Sequence, residues 1–383
     1  MNDFKKIMIH KVGSPKVFVF LIIWLMILVF FGTIAQKDQG LYLVQMDYFS
    51  SWFKWFGPLP TPSAKLTMLA MFINLTGFFF RPNIFNLNKI GVTITHLGIM
   101  LMLVGSGLTS IFSIEGSMII NEGEKSNFFE NYYVKELVII DKTNSDFDEY
   151  IIFDEPLFDK NSFLESEELP FKIEILDYYI NCNPIRKPDN QMNNSFYKGM
   201  AQHFYLQEIP SEKEYEKNRS GIIYEIFASG DIDIDGVYMS FIGQPPALQT
   251  EFIIDSNEYK DAEQTFEIKL RPYRTYLPFE IELIDFKKEM HPGTDVAKSY
   301  SSDVNLIEEG ISRKTLIEMN VPLRHYDYTF YQASFIEENN MQTTVLATVK
   351  NYGRLFPYIS TIIMCVGILF HMLVMVSRRF KKS

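Results

Sequence analysis

IGVTITHLGIMLMLVGSGLTSIF, residues Ile90 to Phe112, is a run of 23 residues with no charge and one histidine, His96. About 20 apolar residues cross a bilayer core as a helix. An ionisable side chain at that depth is costly unless it is paired or coordinates something. Imidazole is also a favoured ligand of haem iron. Two readings of His96 stand from the residues alone: a polar clamp to a neighbouring helix, or a ligand.

Three more apolar runs flank this one. Val17 to Ile34 is too long for the apolar stretch of a secretory signal, and GTIAQKDQG is a poor cleavage site, so a retained anchor is expected. Leu66 to Phe80 is short and carries Asn74, expected to bond a neighbouring helix. Leu355 to Val376 holds a second histidine, His371. Counted from the run ends, His96 and His371 come out at similar depth. His371 then reads either as a second ligand or as a histidine reaching polar atoms near the headgroups.

Charge orients the runs. Lys5, Lys6, Lys11 and Lys16 precede the first, Arg81 and Lys89 lie between the second and third, and Arg378, Arg379, Lys381 and Lys382 end the chain. The positive-inside rule puts all three clusters in the cytoplasm, which four crossings satisfy. The loop Ala35 to Lys65 and the stretch Ser113 to Arg354 are then outside. Residues 114–354 hold 44 acidic and 23 basic residues, a net of −21, against +10 for the rest. Such a domain argues against nucleic acid, and its acidic faces read as solvated surface.

That outer stretch reads as β structure. Glu136–Ile140, Phe171–Tyr178, Ile222–Phe227, Val237–Ile242, Phe266–Leu270, Phe279–Phe286, Leu316–Met319, Tyr328–Phe335 and Thr343–Val349 are short and rich in Ile, Val, Tyr and Phe. FEIELIDF alternates most clearly, and clusters such as NCNPIRKPDN and HPGTD separate the runs. An antiparallel sandwich or barrel is expected. Glu208 to Ser220 reads as a charged, mobile insertion. The first loop, GLYLVQMDYFSSWFKWFGPLPTP (Gly40 to Pro62), reads as an interfacial aromatic segment or as a surface for a partner or a porphyrin.

Other residues carry less. Cys182 and Cys365 fall on different sides of the expected topology, so no disulfide between them is expected, and the absence of CxxC excludes a dithiol or covalent c-type haem site on this chain. His203, His291 and His325 lack metal-ligand spacing, and His10 sits among lysines at the cytoplasmic edge. Gln36 and Gln45 read as helix caps or as contacts to haem propionates. No Walker motif or nucleophile elbow is present.

Together the pieces resemble the ResB/CcsB family of system II cytochrome c maturation. The residues are GTIAQ (Gly32 to Gln36), the Asn-containing second run with Arg81 after it, KIGVTITHLGIMLMLVG with its G-x-x-x-x-H-x-G, EGSMIINEGE (Glu115 to Glu124), SYSSDVNLIEEG, and IEMNVPLRHYDYTFYQASF (Ile317 to Phe335) with N-x-P-L and Y-Q-x-S. The likeness covers both ends and the last third of the outer domain; residues 128–260 show none. It implies a ResC/CcsA-type membrane partner, apocytochrome c as client, haem as cargo, and His96 as axial ligand of the haem iron within the membrane. With three tryptophans and no tryptophan-rich haem segment, the chain resembles the ResB half alone.

The expected architecture is therefore membrane α plus β. It has four transmembrane helices, three N-terminal (about 17–34, 66–80 and 90–112, within 1–113) and one C-terminal (355–383 with its basic tail), and a large β-rich extracytoplasmic domain (114–354) between helices 3 and 4. The expected role is haem delivery across a bacterial inner membrane for attachment to CxxCH, the bond forming on the complex and not on this chain alone. Two other readings stay open: an electron-transfer subunit with haem between His96 and His371, and a cofactor-free assembly scaffold.

Overall fold

The computed structural model describes residues 11–81, 84–144, 146–188, 192, 195–228, 234–254, 264–294, 297–338 and 341–382. His10, Lys5 and Lys6 lie outside them. The chain divides into two compact units, Met1–Glu115 with Ile317–Tyr331 and Thr348–Ser383, and Gly116–Leu316 with Gln332–Ala347.

Each apolar run of the first unit is a helix: α1 (Pro15–Gln39), α2 (Ala64–Phe79), α3 (Ile90–Phe112) and α4 (Phe356–Lys382). Three of them, α1, α3 and α4, are long and apolar enough to cross a membrane. The fourth expected span, α2, has 16 residues, about 24 Å at 1.5 Å per residue, short of a roughly 30 Å hydrocarbon core. Local chemistry sets the ends of α1. Ser14 caps its start ahead of Pro15, and Gly40, at φ +81°, closes its end by donating to the Gln36 carbonyl at 3.1 Å.

Asn74 Nδ2 donates to the carbonyls of Val12 and Ser14, and Arg81 Nη2 to that of Gly13, so the C-terminal end of α2 is tied to the start of α1. The first loop is ordered. A turn of helix (Leu41–Val44) runs into one π-helical turn (Gln45–Ser50) and a two-stranded hairpin, β1 (Phe53–Phe56) and β2 (Leu59–Pro62).

α3 and α4 run antiparallel in close contact. Gly91, Gly98 and Gly105, seven residues apart, form the seam. A Cβ there would lie 2.6 Å from the His371 main-chain N, 2.9 Å from the Ser360 carbonyl and 2.2 Å from Phe356 Cβ, respectively. Small residues allow this approach where lipid gives no hydrophobic drive for association. Near the C-terminal end of α3, Thr109 Oγ1 donates to Asn351 Oδ1 at 3.0 Å.

The remaining strands are β3 (Ile114–Asn121), β4 (Lys125–Asp141), β5 (Glu149–Asp154), β6 (Phe163–Leu164), β7 (Phe171–Tyr179), β8 (Cys182–Arg186), β9 (Phe204–Glu208), β10 (Gly221–Ala228), β11 (Gly236–Phe241), β12 (Thr250–Ile254), β13 (Gln264–Met290), β14 (Ala297–Glu308), β15 (Ile311–Glu318), β16 (Leu323–His325), β17 (Tyr328–Glu338) and β18 (Met341–Lys350). All nine expected strands fall on them. Among the described residues every pairing between these strands for which a register is given is antiparallel.

The second unit has two lobes that share the long strands β4 and β13. In one lobe, β12-β13-β4-β5 packs on β11-β10-β7-β6 as a sandwich. Its core is Leu137, Ile139, Ile173, Ile175, Ile222, Tyr224, Phe266 and Ile268, all fully buried. In the other lobe, β15-β14-β13-β4-β3-β18-β17 curls until β14 meets β17: Ser302 Oγ donates to Gln332 Oε1 at 2.6 Å, and Tyr300 OH to the Ala333 carbonyl at 3.1 Å. In FEIELIDF, Phe279, Ile281 and Leu283 point inward, and a bulge after Leu283 lets Phe286 do so too. Glu208–Ser220 holds a 3-10 turn (Tyr215–Lys217) and is closed by buried Asn218, which accepts from Glu212 N and donates to Ser211 Oγ.

Candidate functional site

His96 lies on α3, two residues before Gly98, half-buried against the last turn of α2. Its Nδ1 is 2.7 Å from the carbonyl of Val92, one turn back. A carbonyl can only accept, so Nδ1 carries a proton, and in the neutral ring it is Nε2 that has the lone pair. The ring stacks on Phe78, centroids 4.2 Å apart and planes 16° apart. One face and one nitrogen are thereby fixed, and the remaining nitrogen has the form that metal-binding imidazoles present.

Arg81 stands beyond Phe78, its guanidinium carbon 5.9 Å from that ring. Its Nη2 is spent on Gly13, whereas its Nε is buried without a hydrogen-bond partner. Phe79, Arg81, Ile84, Phe85 and Asn86 line a cavity of about 380 Å³ at the link between α2 and α3. Thr93 Oγ1 donates to the Ile84 carbonyl at 2.7 Å and pins that link to α3.

His371 is on α4, its main chain packed on Gly91. Gly91 is five residues from His96, a rise of about 7.5 Å, so the two histidines are not level. Similar depth was expected from the run ends, but α4 continues past Val376 to Lys382, which moves the end from which His371 was counted. His371 Nδ1 is buried and lacks a hydrogen-bond partner. The donor set fits a porphyrin iron: a free imidazole nitrogen at His96, an apolar stack behind it, and an unsatisfied guanidinium N–H for an anionic substituent.

The other expected residues have ordinary surroundings. The Gln36 carbonyl closes α1, and Gln45 opens the π-helical turn. His325 leans on Tyr326, the His203 main chain donates to the Met200 carbonyl and accepts from Lys187 N, and the His291 carbonyl accepts a turn hydrogen bond from Thr294 N. Cys182 and Cys365 are both free; burial pushes the Cys182 thiol up to about 11. Among the described residues no three His, Cys, Asp or Glu side chains cluster as a metal site.

The second unit holds a charged belt, buried at Arg271 and Glu136, that sequence reading missed. Arg271 Nε donates to Glu136 Oε1 at 2.6 Å, with both side chains almost fully buried. Arg274 donates twice to Glu130 Oε1, and Glu155 accepts from Lys135 N and Tyr178 OH. Burial raises the Glu136 carboxyl, though Arg271 opposes it, and burial lowers the Lys135 ammonium against Glu155 and Glu130. The charges sit inside runs that otherwise alternate as strand, so only the β4–β13 register shows that they face each other.

Two comparisons bear on this arrangement. One curated relative, Protein NrfI of Wolinella succinogenes, is 22% identical over 293 residues, covering 74% of this chain and 27% of NrfI. The chain thus spans about a quarter of that relative's length. The ResB-like family matches residues 86–177 and 241–354, which include α3 with His96 and most of the outer strands. That match takes in more than half of the sequence, and the chain belongs to the ResB-like family.

Proposed function

We propose that this chain is the ResB-type subunit of a cytochrome c maturation complex and that His96 holds haem within the membrane on its way to the outer face. Membership of the ResB-like family supports the maturation role. The observation that carries the haem assignment is the fixed tautomer of His96: Val92 takes the Nδ1 proton, Phe78 holds the ring, and Nε2 is left as a ligand. Arg81, with its buried unpaired Nε, is the group suited to a propionate. Bound haem would supply the iron that takes the imidazole and the vinyl groups that react with CxxCH thiols. The chain itself binds and orients; thioether formation belongs to the assembled complex.

The partner in this reading is a ResC/CcsA-type membrane protein, and the client is apocytochrome c. The location is a bacterial inner membrane with both termini cytoplasmic and the acidic β domain outside, as the lysine and arginine clusters favour.

The test is the absorption spectrum of the chain purified with and without that partner, as wild type, His96→Ala and His371→Ala. A low-spin haem band lost only in His96→Ala is expected. A band on the isolated chain that needs both histidines would assign it instead to an electron-transfer subunit. No band in any sample would leave a protein-binding scaffold.

A further inference from the structure

The loop between α1 and α2 does not stand above α1; it runs back down its side. Depth can be read along α1 at 1.5 Å per residue from Pro15. Its apolar stretch, Val17 to Ile34, then covers roughly 3–28 Å, and Gln39 lies near 36 Å. A Cβ on Gly32, near 26 Å, would touch Phe49 at 3.1 Å and Val44 at 3.6 Å. Phe31 meets Phe56 with centroids 6.2 Å apart. Trp24 Nε1, near 14 Å, donates to the Pro62 carbonyl at 2.9 Å. Leu28, Val44, Tyr48 and Ala64 form one buried cluster. The hairpin and the start of α2 therefore lie beside the middle of an apolar helix.

The chemistry of the loop suits that depth. Its ion pair, Lys54 with Asp47, is made within the loop, with the Lys54 side chain mostly buried and that of Asp47 partly exposed, and Lys54 Nζ also sits 4.5 Å from the Tyr48 ring centroid. Open sheet edges are normally excluded from hydrocarbon because their N–H groups go unsatisfied. Here Phe56 and Leu59 flank a two-residue turn and form the hydrogen-bonded pair, so the pairs Trp55↔Pro60 and Phe53↔Pro62 are the ones whose main-chain nitrogens face outward. On β2 both of those nitrogens belong to proline and carry no hydrogen. Ser51 Oγ donates to the Phe53 carbonyl on the other edge. The large side chains at least half-exposed are Leu41, Trp52, Phe53, Trp55 and Leu59, all apolar or aromatic, and Gln45 is the exposed amide of the loop.

We propose that residues 40–63 are a re-entrant segment in the outer leaflet, its aromatic hairpin lying against lipid acyl chains. The hairpin and the 16-residue α2 together make the second crossing, which explains how so short a helix joins an outer end to an inner one. The inference is independent of haem.

The three tryptophans of the chain, Trp24, Trp52 and Trp55, all lie here. Their native fluorescence reports depth without added labels. The full chain is reconstituted alone in phosphatidylcholine–phosphatidylglycerol vesicles. Quenching by acyl-chain-brominated lipid is compared with quenching by aqueous iodide, for the unsubstituted chain, Trp24→Phe and Trp55→Phe. In Trp24→Phe only the two hairpin residues emit. Their emission is expected to be blue-shifted, with iodide quenching roughly fivefold or more below that of the same chain unfolded in denaturant, and strong bromolipid quenching. Because Trp24 bonds Pro62, the unsubstituted chain and Trp55→Phe, which keep that bond, must show the same protection. Iodide quenching near the denatured value with no bromolipid effect overturns the proposal. Protection from both quenchers overturns it too, since a second copy of the chain would then cover the hairpin.

Discussion

The imidazole of His96 and the phenyl ring of Phe78 lie face to face, 4.2 Å apart and 16° from parallel. Phe78 belongs to the last turn of α2, so the point where α2 ends decides how His96 is held. Removing such an aromatic contact costs about 0.5–1.5 kcal/mol. Phe78→Ala is therefore expected to weaken haem retention by up to roughly tenfold, against complete loss in His96→Ala, measured by haem titration in detergent. Nitrogen-15 histidine spectra of the haem-free chain should show His96 protonated at Nδ1 in both the wild type and Phe78→Ala, since Val92 is unchanged.

The seam between α3 and α4 sorts glycines by consequence. A Cβ on Gly91 would strike the main chain of α4, which cannot yield, whereas one on Gly107 meets nothing within 4 Å. Gly91→Ala should destabilise the helix pair by about 1–3 kcal/mol. Gly107→Ala should be neutral or stabilising by up to about 1 kcal/mol. Thermal unfolding in one detergent compares them directly, and equal effects would contradict the close packing.

Gln332 holds the curled lobe together. Its amide accepts from Ser302 Oγ and donates to Thr344 Oγ1 at 2.9 Å and to the Ser334 carbonyl at 3.1 Å, and all three side chains are buried. Gln332→Leu removes the amide from both hydroxyls and leaves Ser302 and Thr344 only their mutual hydrogen bond at 2.8 Å, and should cost about 1 kcal/mol. Adding Ser302→Ala and Thr344→Val removes the under-satisfied hydroxyls and should recover part of that loss. Denaturant unfolding of the three variants would show it.

Glu267 sets an acid limit. Burial pushes its carboxyl up, but hydrogen bonds from Lys142 and Lys269 outweigh burial and hold it below its ordinary value of 4.5. A carboxyl lower in the folded than in the unfolded chain adds stability above the ordinary value, and this is lost as pH falls through the folded one. Glu267→Gln should cost up to about 1 kcal/mol at pH 7, because Lys142 is partly exposed. The difference from wild type should shrink as the pH drops below 4.5, in unfolding curves taken across that range.

Much of this was legible because apolar runs and alternation report burial directly. His96 stood out because nothing else in its run ionises, and the Asn74 bond followed from its place in an apolar helix. β14 was not legible: its inward positions are Ser302, Val304 and Leu306, and a serine that pairs with Gln332 breaks the alternation. Y-Q-x-S could be quoted as a pattern, but its reason, the reach of Gln332 to β14 and β18, exists only in three dimensions. The 16-residue length of α2 was visible as a short run, while the loop that lies beside α1 was not, since its aromatics and prolines read equally as an interfacial segment.

Thr109 and Asn351 are hydrogen-bonded although 242 residues separate them. The polypeptide thus leaves α3 and returns to α4 through one socket. The two ends of the stretch between them are held side by side within the first unit. The family match breaks between residues 177 and 241, the stretch that holds β8, β9, β10 and nearly all of β11. A stretch outside the family match can differ between relatives while the helices stay as they are, which makes residues 178–240 the part of the β domain most open to divergence and to engineering.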